Sequence, residues 1–110
     1  MLMKIKYSPD AVDKLKEIKT VYGGKIYKSI RSSIKELSTF PEKGALVEDY
    51  IGIPNPYRSL HILKHYIFYR IDINKQLIYI TEVFNEREDF LNVMFGVNLR
   101  TQESVDYWGE

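Results

Sequence analysis

Two histidines, one glutamate inside an apolar run, a stripe of cations and a set of arginines are the residues here whose types could do chemistry. His61 and His65 carry imidazoles, which exchange protons near neutral pH. His65 is expected in a turn, exposed to solvent. His61, between Leu60 and Ile62, is expected to pack as a strand residue. Four residues apart they would share a helical face, but on a hairpin they diverge, so no metal site is expected. Glu82 lies among the β-formers Leu77-Ile78-Tyr79-Ile80-Thr81-Glu82-Val83. Apolar surroundings raise a carboxyl's pKa and make it a better base, whereas an arginine across the sheet, Arg58 or Arg70, would simply pair with it. Lys25, Lys28, Arg31 and Lys35 are spaced 3, 3 and 4, which forms one basic stripe on a helix. Such a stripe can contact several phosphates without reading sequence, and a solvated helix face has the same pattern. Arg70 has opposite strand parity to Ile67 and Tyr69, so it is expected beside a carboxylate on the far side or at the edge. Tyr66, Tyr69 and Tyr79 either pack in the core or stack on a base.

Composition narrows the classes further. The chain has 110 residues, 45% of them hydrophobic and 28% charged, which suits one ordinary globular domain. It has no cysteine, so disulfide scaffolds, cysteine zinc sites and thiol nucleophiles are excluded. No phosphate-cradling glycine loop, nucleophile elbow or metalloprotease motif occurs. No apolar run suits a signal peptide or a membrane span, so the expected compartment is the cytoplasm. The net charge of +1 hides an asymmetry. Residues 1–40 hold nine Lys/Arg against four Asp/Glu, or +5, and residues 41–110 hold seven against eleven, or −4. A polyanion-binding face in the first half fits that split, as do solvated helices.

The elements that must position these residues emerge from periodicity. Residues 3–7 alternate apolar and charged, predicting a strand. Ser8-Pro9-Asp10 starts a helix, with serine at the N-cap and proline at the first helical position, and Gly23-Gly24 ends it. A second helix runs from about 25 to 39 with Ile26, Ile30, Ile34 and Leu37 on one face, so the two make a hairpin. Residues 41–56 are expected to be loop. Strands come next at 57–64, 66–73 and 76–84, with a turn at Lys64-His65 and the last strand central. A short helix is expected over 87–95. Residues 1–96 form the domain and 97–110 a polar tail. The fold class is α+β, in the order β-α-α-β-β-β(-α): a four-stranded, mainly antiparallel sheet covered on one face by the hairpin, the other face concave and partly open.

Three local patterns, in this order, carry a resemblance. They are Ser8-Pro9-Asp10-Ala11, Pro56-Tyr57-Arg58-Ser59-Leu60, and Tyr66-Ile67-Phe68-Tyr69-Arg70-Ile71 followed by Ile78-Tyr79-Ile80 and Val83-x-x-x-Arg87-x-Asp89-Phe90-Leu91. Over residues 3–96 the set resembles toxins of the RelE/ParE superfamily, the toxic halves of bacterial type II toxin–antitoxin pairs. The resemblance implies the same α+β fold and a cognate antitoxin as partner. It implies one of two activities. The leading one is ribosome-dependent cleavage of mRNA, with ribosome and mRNA as partners; the other is non-enzymatic inhibition of DNA gyrase. An inactive toxin-like binding module is the third reading. No cofactor, metal or membrane is implied. Carried onto this chain, the resemblance puts Arg58 at a basic position on the first hairpin strand and Arg87 at the arginine after the last strand. Two other basic positions fall on Leu60 and Ile67, and a C-terminal tyrosine position falls on Val93. Cleavage through a 2′-hydroxyl needs a base, charge stabilisation at phosphorus and an acid. Arg87 and Arg58 would supply the charge, and Glu82 and His65 are the acid–base candidates. Lys25, Lys28, Arg31, Lys35 and Arg70 would contact RNA.

Overall fold

The computed structural model describes residues 2–88. In chain order these form β1 (Lys4–Tyr7), α1 (Pro9–Tyr22), α2 (Gly24–Glu36), a 3₁₀ turn (Pro41–Lys43), β2 (Ala45–Leu46), α3 (Glu48–Ile51), β3 (Tyr57–Ile62), β4 (His65–Asp72) and β5 (Leu77–Asn85). Ser8 starts α1 as its residue type predicts: Oγ accepts from the Ala11 amide at 3.0 Å and donates to the Thr81 carbonyl at 2.6 Å. One cap therefore both opens the helix and ties it to β5. Gly23, at φ +94, makes the break between the helices.

The sheet has five strands in the order β1-β5-β4-β3-β2, one more than expected. The extra strand, β2, comes from the segment read as loop, where its two residues pair with Arg58 and Ser59. Two residues are too few for periodicity to register. β1 runs parallel to β5, Lys4 opposite Leu77 and Tyr7 opposite Ile80; the other pairings are antiparallel. The interior position of β5 agrees with its near-continuous β-formers.

The core lies between hairpin and sheet. Ala11, Leu15 and Ile18 of α1 and Ile30 and Ile34 of α2, with Leu37 at its end, pack against Ile67, Tyr69, Ile78, Ile80 and Val83. Each such buried aliphatic contributes about 1.5–3 kcal/mol relative to exposure. Ile78 and Ile80 share one parity and Val83 has the other; the register shift at Phe68/Tyr69 reconciles them, so that all three face the helices. The face away from the helices is not open throughout. Phe68 and Phe84 on it are 0% and 5% exposed, and their rings meet edge to face at 5.8 Å.

The β3–β4 turn falls at Leu63-Lys64, one residue earlier than expected, and both residues have positive φ (48 and 66). That pair of values is favoured in two-residue hairpins but strains side chains with a Cβ. Lys64→Gly is accordingly expected to stabilise the fold by about 1 kcal/mol, read as a raised urea midpoint. The helix expected over 87–95 and the tail 97–110 lie outside the described residues, apart from the turn holding Arg87 and Glu88.

Candidate active site

Strand parity decides which side chains can form a site. Arg58, Leu60 and Ile62 on β3 pair with Tyr69, Ile67 and His65 on β4, and this set faces the helices. The opposite parity, Tyr57, Ser59 and His61 with Tyr66, Phe68 and Arg70, faces away. Leu60 and Ile67 are therefore core residues. The site-facing neighbours on the same two strands are His61 and Tyr66, one position away in sequence.

Arg58 is spoken for. Its Nη1 donates to the Gly44 carbonyl at 2.8 Å and the Glu42 carbonyl at 3.3 Å, pinning the segment before β2 to the sheet. His65 opens β4 instead of standing in a turn, and it is 1% exposed. Its Nδ1 lies 2.8 Å from the Leu63 carbonyl, and the Tyr22 ring meets it edge-on at 5.1 Å. It is a satisfied core histidine. His61 reverses its expectation too. It is exposed, its Nε2 is 3.1 Å from Glu86 Oε2, and its ring stacks on Tyr66 at 4.4 Å and 9°. Periodicity could have found this pair: given that Leu60 and Ile62 point inward, His61 must point out.

Glu82 lines a cleft of about 310 Å³ with Asp10, Asp13, Lys14 and Glu17. No arginine contacts it among the described residues. Burial, and then the Asp10 carboxylate beside it, push its pKa above the ordinary glutamate value. A carboxyl that is harder to ionise in the folded state than in the unfolded one binds its proton more tightly in the fold. Its ionised form therefore costs stability at neutral pH, and that cost vanishes as pH falls through the unfolded value. Glu82→Gln is expected to raise Tm at pH 7 and to bring no gain below about pH 4. Glu88 pairs with Lys14 of the cleft: burial opposes its ionisation, but Lys14 Nζ at 2.9 Å and the Asn85 amide at 3.0 Å hold its pKa below the ordinary value.

Arg87 stands in the turn after β5, and its amide is fixed by Asn85 Oδ1 at 2.9 Å. Its side chain is exposed, and its guanidinium forms no ion pair or hydrogen bond among the described residues. Arg70 lies over the Tyr79 ring at 5.2 Å, and among the described residues no carboxylate pairs with it. The basic stripe is exposed along α2. Lys28, Arg31 and Lys35 line a groove of about 620 Å³ beside β1, and Lys25 stays outside it. Arg31 is held there by aromatics, 5.3 Å from the Tyr7 ring centroid, with Nη1 donating to Tyr27 Oη at 2.7 Å.

The candidates thus fall into separate places: a basic aromatic groove by β1, an acidic cleft by α1, and the far end of β3–β5, where Arg87, Glu86, His61 and Tyr66 gather. The profile of the family described as ParE toxin of type II toxin–antitoxin system, parDE, matches residues 5–90. This chain belongs to the ParE toxin family. Solved structures share the toxin's fold at low identity. A chain of the RelBE2 toxin–antitoxin complex of Mycobacterium tuberculosis is 15% identical, with a TM-score of 0.61 over 77% of this toxin and 99% of that chain. A free RelE mutant from E. coli gives 13%, 0.60, and 77% and 84% coverage. The chromosomal ParDE system of P. aeruginosa gives 18%, 0.57, and 76% and 96%. A comparison with curated protein sequences gives no match.

Proposed function

We propose that this toxin arrests growth in the cytoplasm by cleaving mRNA on the ribosome, and that a cognate antitoxin holds it inactive. The observation that carries the reading is the Arg87 guanidinium, unpaired among the described residues, at the end of an aromatic sheet face. A guanidinium stays protonated throughout and can hold two phosphate oxygens at once. The bases of a single strand would stack on tyrosines of that face, as unstacked RNA commonly does. The groove lined by Lys28, Arg31 and Lys35 supports contact with the phosphate backbone of structured RNA. Of the four catalytic candidates, Arg87 keeps the role of charge stabiliser. Arg58 and His65 serve the fold, and Glu82 stands apart in its own cleft beside Asp10.

The gyrase reading draws on the engagement of Arg58, which removes one cation from any phosphate site. Inducing the toxin, then mapping mRNA 5′ ends and assaying plasmid supercoiling in the same cells, separates the two. New 5′ ends at unchanged supercoiling are expected. DNA breaks or relaxation without new ends would hand the case to gyrase. Co-expression with the neighbouring reading frame is expected to give a co-purifying complex.

A further inference from the structure

We propose that His61 is the general base of the toxin's RNA cleavage and Glu86 the residue that positions it, an inference that rests on the cleavage reading above. His61 projects from β3 on the face away from the helices, where it is exposed. Two contacts fix its ring. Tyr66 lies flat against it at 4.4 Å, and Glu86 Oε2 stands 3.1 Å from Nε2. A carboxylate only accepts, so Nε2 must be the nitrogen that carries hydrogen, and Nδ1 is left with its lone pair. A base whose other nitrogen is held by a carboxylate from a different element is the arrangement that activates nucleophiles in many enzymes.

The fold places this pair at the same end of the sheet as Arg87. His61 sits opposite Tyr66, and Tyr66 opposite Phe84, so one row crosses three strands. Glu86 comes two residues later, and its amide donates to the Lys64 carbonyl at 2.9 Å. That bond ties the turn carrying Glu86 and Arg87 to the end of the β3–β4 hairpin. In the reaction, the 2′-hydroxyl gives its proton to His61 Nδ1 and the 2′-oxygen bonds to phosphorus. The bond from phosphorus to the 5′-oxygen breaks, and that oxygen takes a proton from solvent. The imidazolium returns its proton to water. The products are a 2′,3′-cyclic phosphate and a 5′-hydroxyl, with no further reactant.

The test makes each variant in a reconstituted translation mixture and monitors a short reporter mRNA. His61→Ala is expected to slow cleavage by about a hundredfold or more, the usual span for losing a general base. Added imidazole should restore part of the rate. Glu86→Gln should fall between the two, and ¹⁵N spectra of the His61 ring should change from the Nε2–H tautomer to a mixture. Antitoxin co-purification shows that the variants fold. Wild-type cleavage by His61→Ala, or no rescue by imidazole, would leave His61–Glu86 as a surface ion pair. An intact reporter with the unaltered toxin would remove the cleavage reading, and this assignment with it.

Discussion

Replacing Arg87 by alanine is expected to abolish most reporter cleavage while leaving the fold and antitoxin binding unchanged. A donor aimed at charge that develops in the transition state is worth about 2.7–4 kcal/mol, roughly a hundredfold or more in rate. Removing an exposed arginine that served only the surface would cost about 0–1 kcal/mol of stability and nothing in rate. The two outcomes are far enough apart to be read from a single assay in the reconstituted mixture, with Tm measured beside it. Growth arrest at the wild-type level by Arg87→Ala, at equal expression, would take the charge stabiliser out of the cleavage mechanism. The backbone around Arg87 should survive the change. It is held by the Asn85 side chain, which also donates to Tyr22 Oη at 2.9 Å and so links the turn to the end of α1.

The largest stability effect is expected at Gly44. Its backbone is ordinary, with φ −75, so conformational freedom is not why glycine stands there. Space is. A Cβ on Gly44 would lie 2.6 Å from Tyr69 Oη and 2.8 Å from the Ser59 carbonyl oxygen. The Gly44 amide donates to that same Tyr69 Oη at 2.9 Å, and the hydroxyl donates on to the Pro41 carbonyl at 2.7 Å. Gly44→Ala should therefore cost about 1–3 kcal/mol through overpacking. Tyr69→Phe leaves a buried amide and a carbonyl without their partner, at about 1–3 kcal/mol. Each kilocalorie should lower Tm by about 4–8 °C in a domain of this size. Because phenylalanine removes the oxygen that the new methyl would strike, the double variant should be less destabilised than the sum. Strict additivity in urea unfolding would mean that the two positions do not meet.

The elements that read cleanly were those whose signal is local. Ser8-Pro9 marks a helix start because the cap chemistry is complete within four residues, and the Ile30–Ile34–Leu37 face comes from the helical period alone. The site was harder because it depends on which face of a strand is buried. Placing Arg58, Leu60 and Ile67 toward the site, as the resemblance does, leaves His61 on the wrong side of β3; a one-residue change of parity exchanges core and surface. His61 reaches the surface for that reason, whereas His65 enters the core because the turn falls at Leu63-Lys64 and leaves it at the start of β4. Arg58 could not be foreseen as a clamp, since its partners are the carbonyls of Glu42 and Gly44, and backbone acceptors leave no trace in residue types. The closeness of Glu82 to Asp10 depends on where α1 meets β5, far apart in sequence, which no local pattern reports.

The parallel pairing of β1 with β5 has a consequence for how this toxin comes into being. Lys4 meets Leu77, and Tyr7 meets Ile80. Until residues 77–80 have left the ribosome, the first strand has no partner, and the hairpin lacks Ile78 and Ile80, the middle of the surface it packs on. Local helices can form early, but contacts that close a long loop come late and set the pace of folding. At about 5–20 residues per second, the nascent toxin spends several seconds without the sheet end that holds His61, Glu86 and Arg87 together. The connectivity therefore delays assembly: the sheet end that carries the proposed site closes only after β5 has been made.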